Sequence, residues 1–357
     1  MPASLNFFDT YVMMALVEEI VPQASFFRDR YFPTEDGDIF DADKVLTEYQ
    51  KGDRKMAAFV APRVGDIPIE RQGYEIHEYQ PAFISHSRLL SLDDLEKRGF
   101  GEALYPGSKP AERALRLQLK DLSDIDKRIQ RREEWMAVQT MINNGCDMQE
   151  YVDAKTKGEL LQVRFYDTTS DHLYTVAQKW NSANGKFFDD VWAMCEALSD
   201  RGLPAADLVL GTDVASAIRK NEEVRQLLDK NSGIIVGEIN QTIAYPGVVR
   251  MGVLNFDGHL LTLWAVNETY QDDNGKTARY FPATSAMVTA PGCGHLMYGR
   301  ISQIDYGATN YTTYAKSRVP KFSIDQDKDT RKIRLATRPL AAPKNYCPYI
   351  YAANVVG

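Results

Sequence analysis

Between Pro110 and Asn144 the chain carries no glycine and, after Pro110 itself, no proline. Leu115, Leu119, Leu122, Ile125, Ile129 and Met136 recur there at mixed three- and four-residue steps, the period of a helix with one apolar stripe. Proline suits a first helical turn, where its missing N–H loses no intrahelical partner, and Gly145 supplies a stop. At about 1.5 Å of rise per residue the span 110–144 predicts a rod of about 50 Å. That is about three times the length of an ordinary globular helix. Such a rod demands an elongated molecule or a coiled coil, and a narrow stripe without sustained heptads favours the elongated molecule. Opposite the stripe, Arg113, Arg116, Lys120, Asp124, Lys127, Arg131 and Glu134 read as a solvated face.

A chain of 357 residues has room for about two domains and can bury a sizeable core without staples. Its net charge of -7 argues against a protein built mainly to grip phosphate backbones, which usually shows a basic face. Cys146, Cys195, Cys293 and Cys347 are scattered, which reads as reduced thiols and not as a disulfide framework. Asp9, Glu18 and Glu19 interrupt the first apolar stretch, and no basic region precedes it, so no signal peptide is expected. The chain holds no continuous apolar run long enough for a membrane span, and a membrane partner is not expected.

The beginning of the chain is rich in aromatic residues: Phe7, Phe8, Tyr11, Phe26, Phe27, Tyr31 and Phe32. Termini are usually polar and frayed unless tied down, so this one must bury itself, either on its own core or on a neighbouring subunit. Asp9 can cap a short helix running to Val21, ended by Pro22. Over residues 38–86, Lys55–Val60 reads as a strand, Pro62, Gly65, Pro68 and Gly73 punctuate a loop, and Tyr74–Ile84 resumes in extended form. Together these predict a long β-hairpin, which is at best marginally stable without a surface to lie on.

Beyond Gly145 helices and strands alternate. Leu160–Tyr166, Leu208–Leu210, Val248–Asn255, Leu260–Val266, Ala286–Ala290, Leu296–Gly299 and Arg331–Leu340 read as strands. Phe187–Ser199, ending near Gly202, and Asp213–Leu228 read as helices. Turns are expected at Asp257-Gly258 and at Asp272–Gly275.

Searches for chemistry fail on spacing. Gly275-Lys276-Thr277 resembles the end of a phosphate-binding loop, but Tyr270 stands where the first glycine is needed. Asp272–Gly275 lacks the alternating acids and the terminal glutamate of a calcium loop. Cys293 and His295 form one thiol–imidazole pair, short of the four ligands of a zinc site. His77, His86, His172, His259 and His295 form no ligand-spaced pair. No catalytic, cofactor-binding or metal residue is assigned, no cofactor is expected, and the chain reads as a non-enzyme.

Six stretches, in order, resemble the lambda-type major capsid proteins of tailed bacteriophages, phage capsid family E. They are Phe26-Phe-Arg-Asp-Arg-Tyr-Phe-Pro33; Arg54-Lys-Met-Ala-Ala-Phe-Val-Ala-Pro62 with Gly73-Tyr74 and Gln80-Pro-Ala-Phe-Ile84; and Arg98-Gly-Phe-Gly-Glu102 with the helix closing at Arg131–Gly145. Then come Trp180, Ala217-Ile-Arg219 and Val224–Asp229; Tyr270–Gly275 with Tyr280-Phe-Pro282 and Tyr298-Gly299; and finally Thr337-Arg-Pro-Leu340. Each piece is short, and their order and spacing across the chain carry the resemblance.

The resemblance implies an α+β Hong Kong 97-type phage capsid fold. It implies an N-terminal arm at 1–37 and an extended β-hairpin loop at 38–86. A peripheral domain would take 87–186 and 312–340, with the spine helix 110–144 and a β-sheet. An axial α/β domain would take 187–311 and 341–357. It further implies a major head protein that self-assembles into hexamers and pentamers of an icosahedral shell around double-stranded DNA, bound without sequence specificity. The expected partners are other copies of the chain, a portal, a separate scaffolding protein and, in some heads, a decoration protein. The expected places are the virion and, during assembly, the host cytoplasm. Some related shells are cross-linked through lysine, and Lys51 and Lys55 fall in the loop region, but lysines there read as solvated charges and no cross-link is expected. Two alternatives stand beside this reading: an encapsulin-like compartment shell and a soluble α/β enzyme.

Overall fold

The structure, a computed structural model, describes residues 10–18, 24–49, 75–90, 110–152, 156–166, 170–182, 184–221, 245–256, 258–273, 275–325 and 330–357. Helices α1 (Thr10–Glu18) and α2 (Phe26–Tyr31) come first. Strands β1 (Val45–Tyr49) and β2 (Glu75–Tyr79) then pair antiparallel, with Val45 opposite Tyr79. The strand expected at Lys55–Val60 lies outside the described residues. After β3 (Ile84–Leu90) comes the long helix α3 (Pro110–Asn143), 34 residues.

The helix ends where the sequence says it must. Asn144 takes a left-handed φ of 53°, which asparagine tolerates, and breaks the helical run. Gly145 then starts β4 (Gly145–Tyr151), which pairs antiparallel with β5 (Lys157–Arg164). A Cβ at Gly145 would stand 2.1 Å from the Val163 carbonyl oxygen, so only glycine fits this approach.

Next come β6 (Leu173–Tyr174), α4 (Phe187–Asp200), β7 (Asp207–Gly211) and α5 (Thr212–Lys220). Of the helix expected over Asp213–Leu228, the described part ends at Lys220, where Asn221 turns extended with a ψ of 127°, and residues 222–228 lie outside the described residues. Strands β8 (Val248–Phe256) and β9 (His259–Val266) form the expected antiparallel pair. β10 (Thr269–Gln271) and β11 (Thr277–Arg279) flank the Asp272 turn. The chain finishes through β12 (Ala286–Thr289), β13 (Gly294–Tyr298), β14 (Ile301–Ile304), β15 (Tyr311–Tyr314) and β16 (Val319–Asp325). Last are β17 (Thr330–Thr337), β18 (Pro339–Pro343) and β19 (Tyr349–Ala352).

Among the described residues six strands build the largest sheet, in the order β6-β19-β12-β7-β9-β8. β7 runs parallel to β9 and sits inside the sheet, which is why Asp207–Gly211 is buried along its whole length. One face of this sheet carries α4 and α5 on a core that includes Phe187, Val191, Leu198, Leu208 and Val214. A second sheet, β16-β17-β3, packs Phe322, Ile333 and Leu335 on the α3 stripe of Leu122, Ile125 and Ile129. The single late strand expected at Arg331–Leu340 is in fact two. Arg338 separates β17, which pairs with β16 and β3, from β18, which pairs with β13.

Candidate functional site

Four of the N-terminal aromatics, Phe26, Phe27, Tyr31 and Phe32, are fully buried in this chain's own core. Of the two docking modes open at the start, residues 26–32 therefore take the first. Phe26 meets Trp264 and Tyr245 with ring centroids 5.2 and 5.3 Å apart, and Phe27 stacks on Phe281 at 6.0 Å. Burying a phenylalanine of this kind contributes about 1.5–3 kcal/mol. Helix α1 is docked in the same chain too, through Met13 and Val17 against α3 and β16.

Polar clamps hold the segment from three sides. The first turn of a helix leaves its N–H groups unpaired. In α2 the N–H groups of Phe27 and Arg28 donate to the two oxygens of Glu134 at 2.8 and 2.7 Å. Glu134 is buried, so its assignment to a solvated face is corrected, whereas Lys120 and Arg131 of that row are exposed. Burial pushes the Glu134 carboxyl up to about 8, against the pull of the two N–H donors. Burial likewise raises Glu268, nearby in charge, to about 7.

The second clamp is Asp207, at the start of β7. Arg30 donates to both of its oxygens, at 2.6 and 2.9 Å, and Tyr31 and Trp264 donate at 3.0 and 3.2 Å. A buried carboxylate with four donors is satisfied, and the Arg30 guanidinium also lies over the Trp264 ring at 4.8 Å.

The third is a network of α3 with β13 and the edge of the second sheet. Arg318 makes two bonds to Glu133, at 2.7 and 2.9 Å, and one to Asp126 at 2.7 Å. Tyr298 donates to the same Glu133 at 3.1 Å, and Arg28 approaches it at 3.6 Å. Burial works against the Arg318 charge, but Glu133 and its companions outweigh it and hold the guanidinium well above its ordinary value. Sequence reasoning missed this network, although one signal was present. Glu133 stands in step with Ile129 and Met136 on the apolar stripe, and a carboxylate in that register calls for a buried partner.

The residues weighed for chemistry fall elsewhere. Asp272 closes a turn, its carboxylate accepting from Lys276 N at 2.8 Å, with Gly275 at a φ of 79°. Burial pushes the Cys293 thiol up to about 12, far from a reactive thiolate. His295 turns to Asp38 at 3.2 Å. Gly294 between them lies against Phe32, whose ring atoms would stand 2.3 Å from an added Cβ. Among the described residues no three His, Cys, Asp or Glu side chains gather where they could hold a metal. Lys51 and Lys55 lie outside the described residues.

Two solved structures share this fold over nearly their whole length. One, a protein assigned as the capsid protein of a prophage of E. coli CFT073, is 15% identical with a TM-score of 0.67, covering 96% of this chain and 98% of its own. The other, a phage-related protein from Bordetella bronchiseptica RB50, is 10% identical with a TM-score of 0.53, covering 97% of each chain. The fold is thus the mixed α+β fold of phage capsid subunits. Residues 9–352 match the family described as phage major capsid protein E, and the chain belongs to that family. No curated protein matches the chain in sequence. As a member of a structural capsid family, it has its place in the virion.

Proposed function

We propose that this chain is the shell-forming subunit of a phage head, assembling into hexamers and pentamers of an icosahedral shell around double-stranded DNA. Membership of the phage major capsid protein E family over residues 9–352 carries this reading. Head-to-tail contacts that close into rings would supply the hexamers and pentamers. In this reading residues 1–37 act as the arm and 38–86 as the extended loop, with β1 and β2 as its paired base. Residues 87–186 and 312–340 form the peripheral part, and 187–311 and 341–357 the axial part. Exposed aromatics around the β14–β15 hairpin support it: Tyr11 is 66% and Tyr311 76% exposed, a surface that a neighbouring copy would cover. Assembly takes place in the host cytoplasm with a separate scaffolding protein and a portal, and a decoration protein joins where the head carries one. The chain performs no catalysis, and its subunits stay uncross-linked.

Electron microscopy of the purified protein tests the reading. Shells, rings or tubes are the expected result. A compact monomer at high concentration that turns over a small molecule would overturn it. Boiled denaturing gels of the shells should show a single band, and a covalent ladder would refute the uncross-linked state.

A further inference from the structure

The end of α3 meets the six-stranded sheet through three side chains: His172, just before β6, Asn144, and Tyr349 of β19. His172 bonds the helix through Nε2, 2.9 Å from the Ile142 carbonyl, and the sheet through its own carbonyl, which accepts from Tyr351 N at 2.7 Å. Tyr349 donates to Asn144 Oδ1 at 3.1 Å, and its ring meets the His172 ring edge-on with centroids 6.2 Å apart. Asn144 is 0% and His172 2% exposed. Yet Asn144 Nδ2 and His172 Nδ1, in this same cluster, meet no hydrogen-bond partner.

The chemistry of the two orphan atoms is complementary. A nitrogen facing a carbonyl oxygen must carry a proton, so Nε2 is the N–H of the neutral ring and Nδ1 presents a lone pair. Asn144 Nδ2 is a donor. Buried polar groups are costly to leave unmet, and a molecule that both accepts and donates would satisfy this pair at once. We infer that one internal water bridges Asn144 Nδ2 and His172 Nδ1 and completes a polar joint between the end of α3 and the sheet. It accepts from the amide and donates to the imidazole. The charged neighbours are Arg201 and Asp171; burial, joined by Arg201, lowers the His172 proton affinity against Ile142 and Asp171, which keeps the lone pair available. A bridging water keeps its bonds while its partners shift slightly, so the joint ties the helix end to the sheet without fixing its angle rigidly.

A density map of the protein, at a resolution that shows ordered water, tests this. The joint lies within one chain, so dispersed subunits serve as well as shells, and a failure to assemble leaves the test intact. The expected result is a peak within hydrogen-bond distance of both nitrogens. An Asn144 amide turned to point Nδ2 at the Tyr349 hydroxyl, a direct bond between the two nitrogens, or no peak with the side chains placed as here would each overturn it. Asn144→Gly is the second arm, since glycine takes the left-handed φ of 53°. Its map should lose the peak or show it displaced from His172, and a peak unchanged in this variant would refute the two-ligand bridge.

Discussion

A carboxyl held at about 8 by burial, as Glu134 is, links stability to pH with a definite sign. Its folded value lies above the ordinary one, so the folded chain keeps a proton that the unfolded chain loses. Its contribution to stability is therefore fullest below about pH 4.5 and is lost as pH rises towards about 8, by on the order of a few kcal/mol. Glu134→Gln should flatten this slope in thermal unfolding measured across that range; an unchanged slope would show that Glu134 is not its source. Arg318 poses the opposite case. Arg318→Met strips Asp126 of its cation and leaves buried Glu133 only the longer approach of Arg28 at 3.6 Å, which should cost about 3–5 kcal/mol in chemical denaturation. A loss below about 1 kcal/mol, the scale of exposed pairs, would mean that water reaches the network. At this scale the sequence was partly legible. Glu133 interrupts an apolar stripe and so signals a partner, but nothing local to Arg318 names it, because the partner lies 185 residues away.

Elements were easier to read than their partners. Helix α3, the β8–β9 hairpin, β7 and the Asp272 turn follow from periodicity and from glycines that local backbone geometry requires. The division of 331–340 into β17 and β18 does not follow from them: two different sheets claim the two halves, and the one local mark is Pro339, which opens β18 just after Arg338. The early stop of α5 at Lys220 was hidden for a like reason: the apolar spacing runs on through Leu228, and periodicity says nothing about where the backbone turns extended. Gly294 on β13 gives an element-scale prediction. Gly294→Ala forces Phe32 from its seat and should loosen the segment after α2, making residues 24–43 the first site of limited proteolysis. Replacing Phe32 by leucine in the same chain should restore part of the protection. Unchanged cleavage in Gly294→Ala would show that the ring moves aside at little cost.

For the whole molecule, the arm's position decides what truncation does. Removing residues 1–33 takes four fully buried aromatics from the core, so the product should lose its cooperative melt instead of persisting as a folded, assembly-blocked subunit. A truncated chain that melts like the intact one would place those aromatics outside the stabilising core. The same placement bears on how the protein is made. Thr34 bonds the carbonyl of Leu296, 262 residues further on, and the Asp207 that holds Arg30 lies 177 residues on. At about 5–20 residues per second a ribosome needs roughly 13–50 s to deliver the more distant of these sites. Through much of that interval the docking surface of the aromatic segment is incomplete: Glu134 follows 107 residues on, but Trp264 and Phe281, against which its rings pack, come later. Residues 26–34 are made well before the partners that seat them, and the nascent chain is a client for whatever chaperone shields bare aromatics during synthesis.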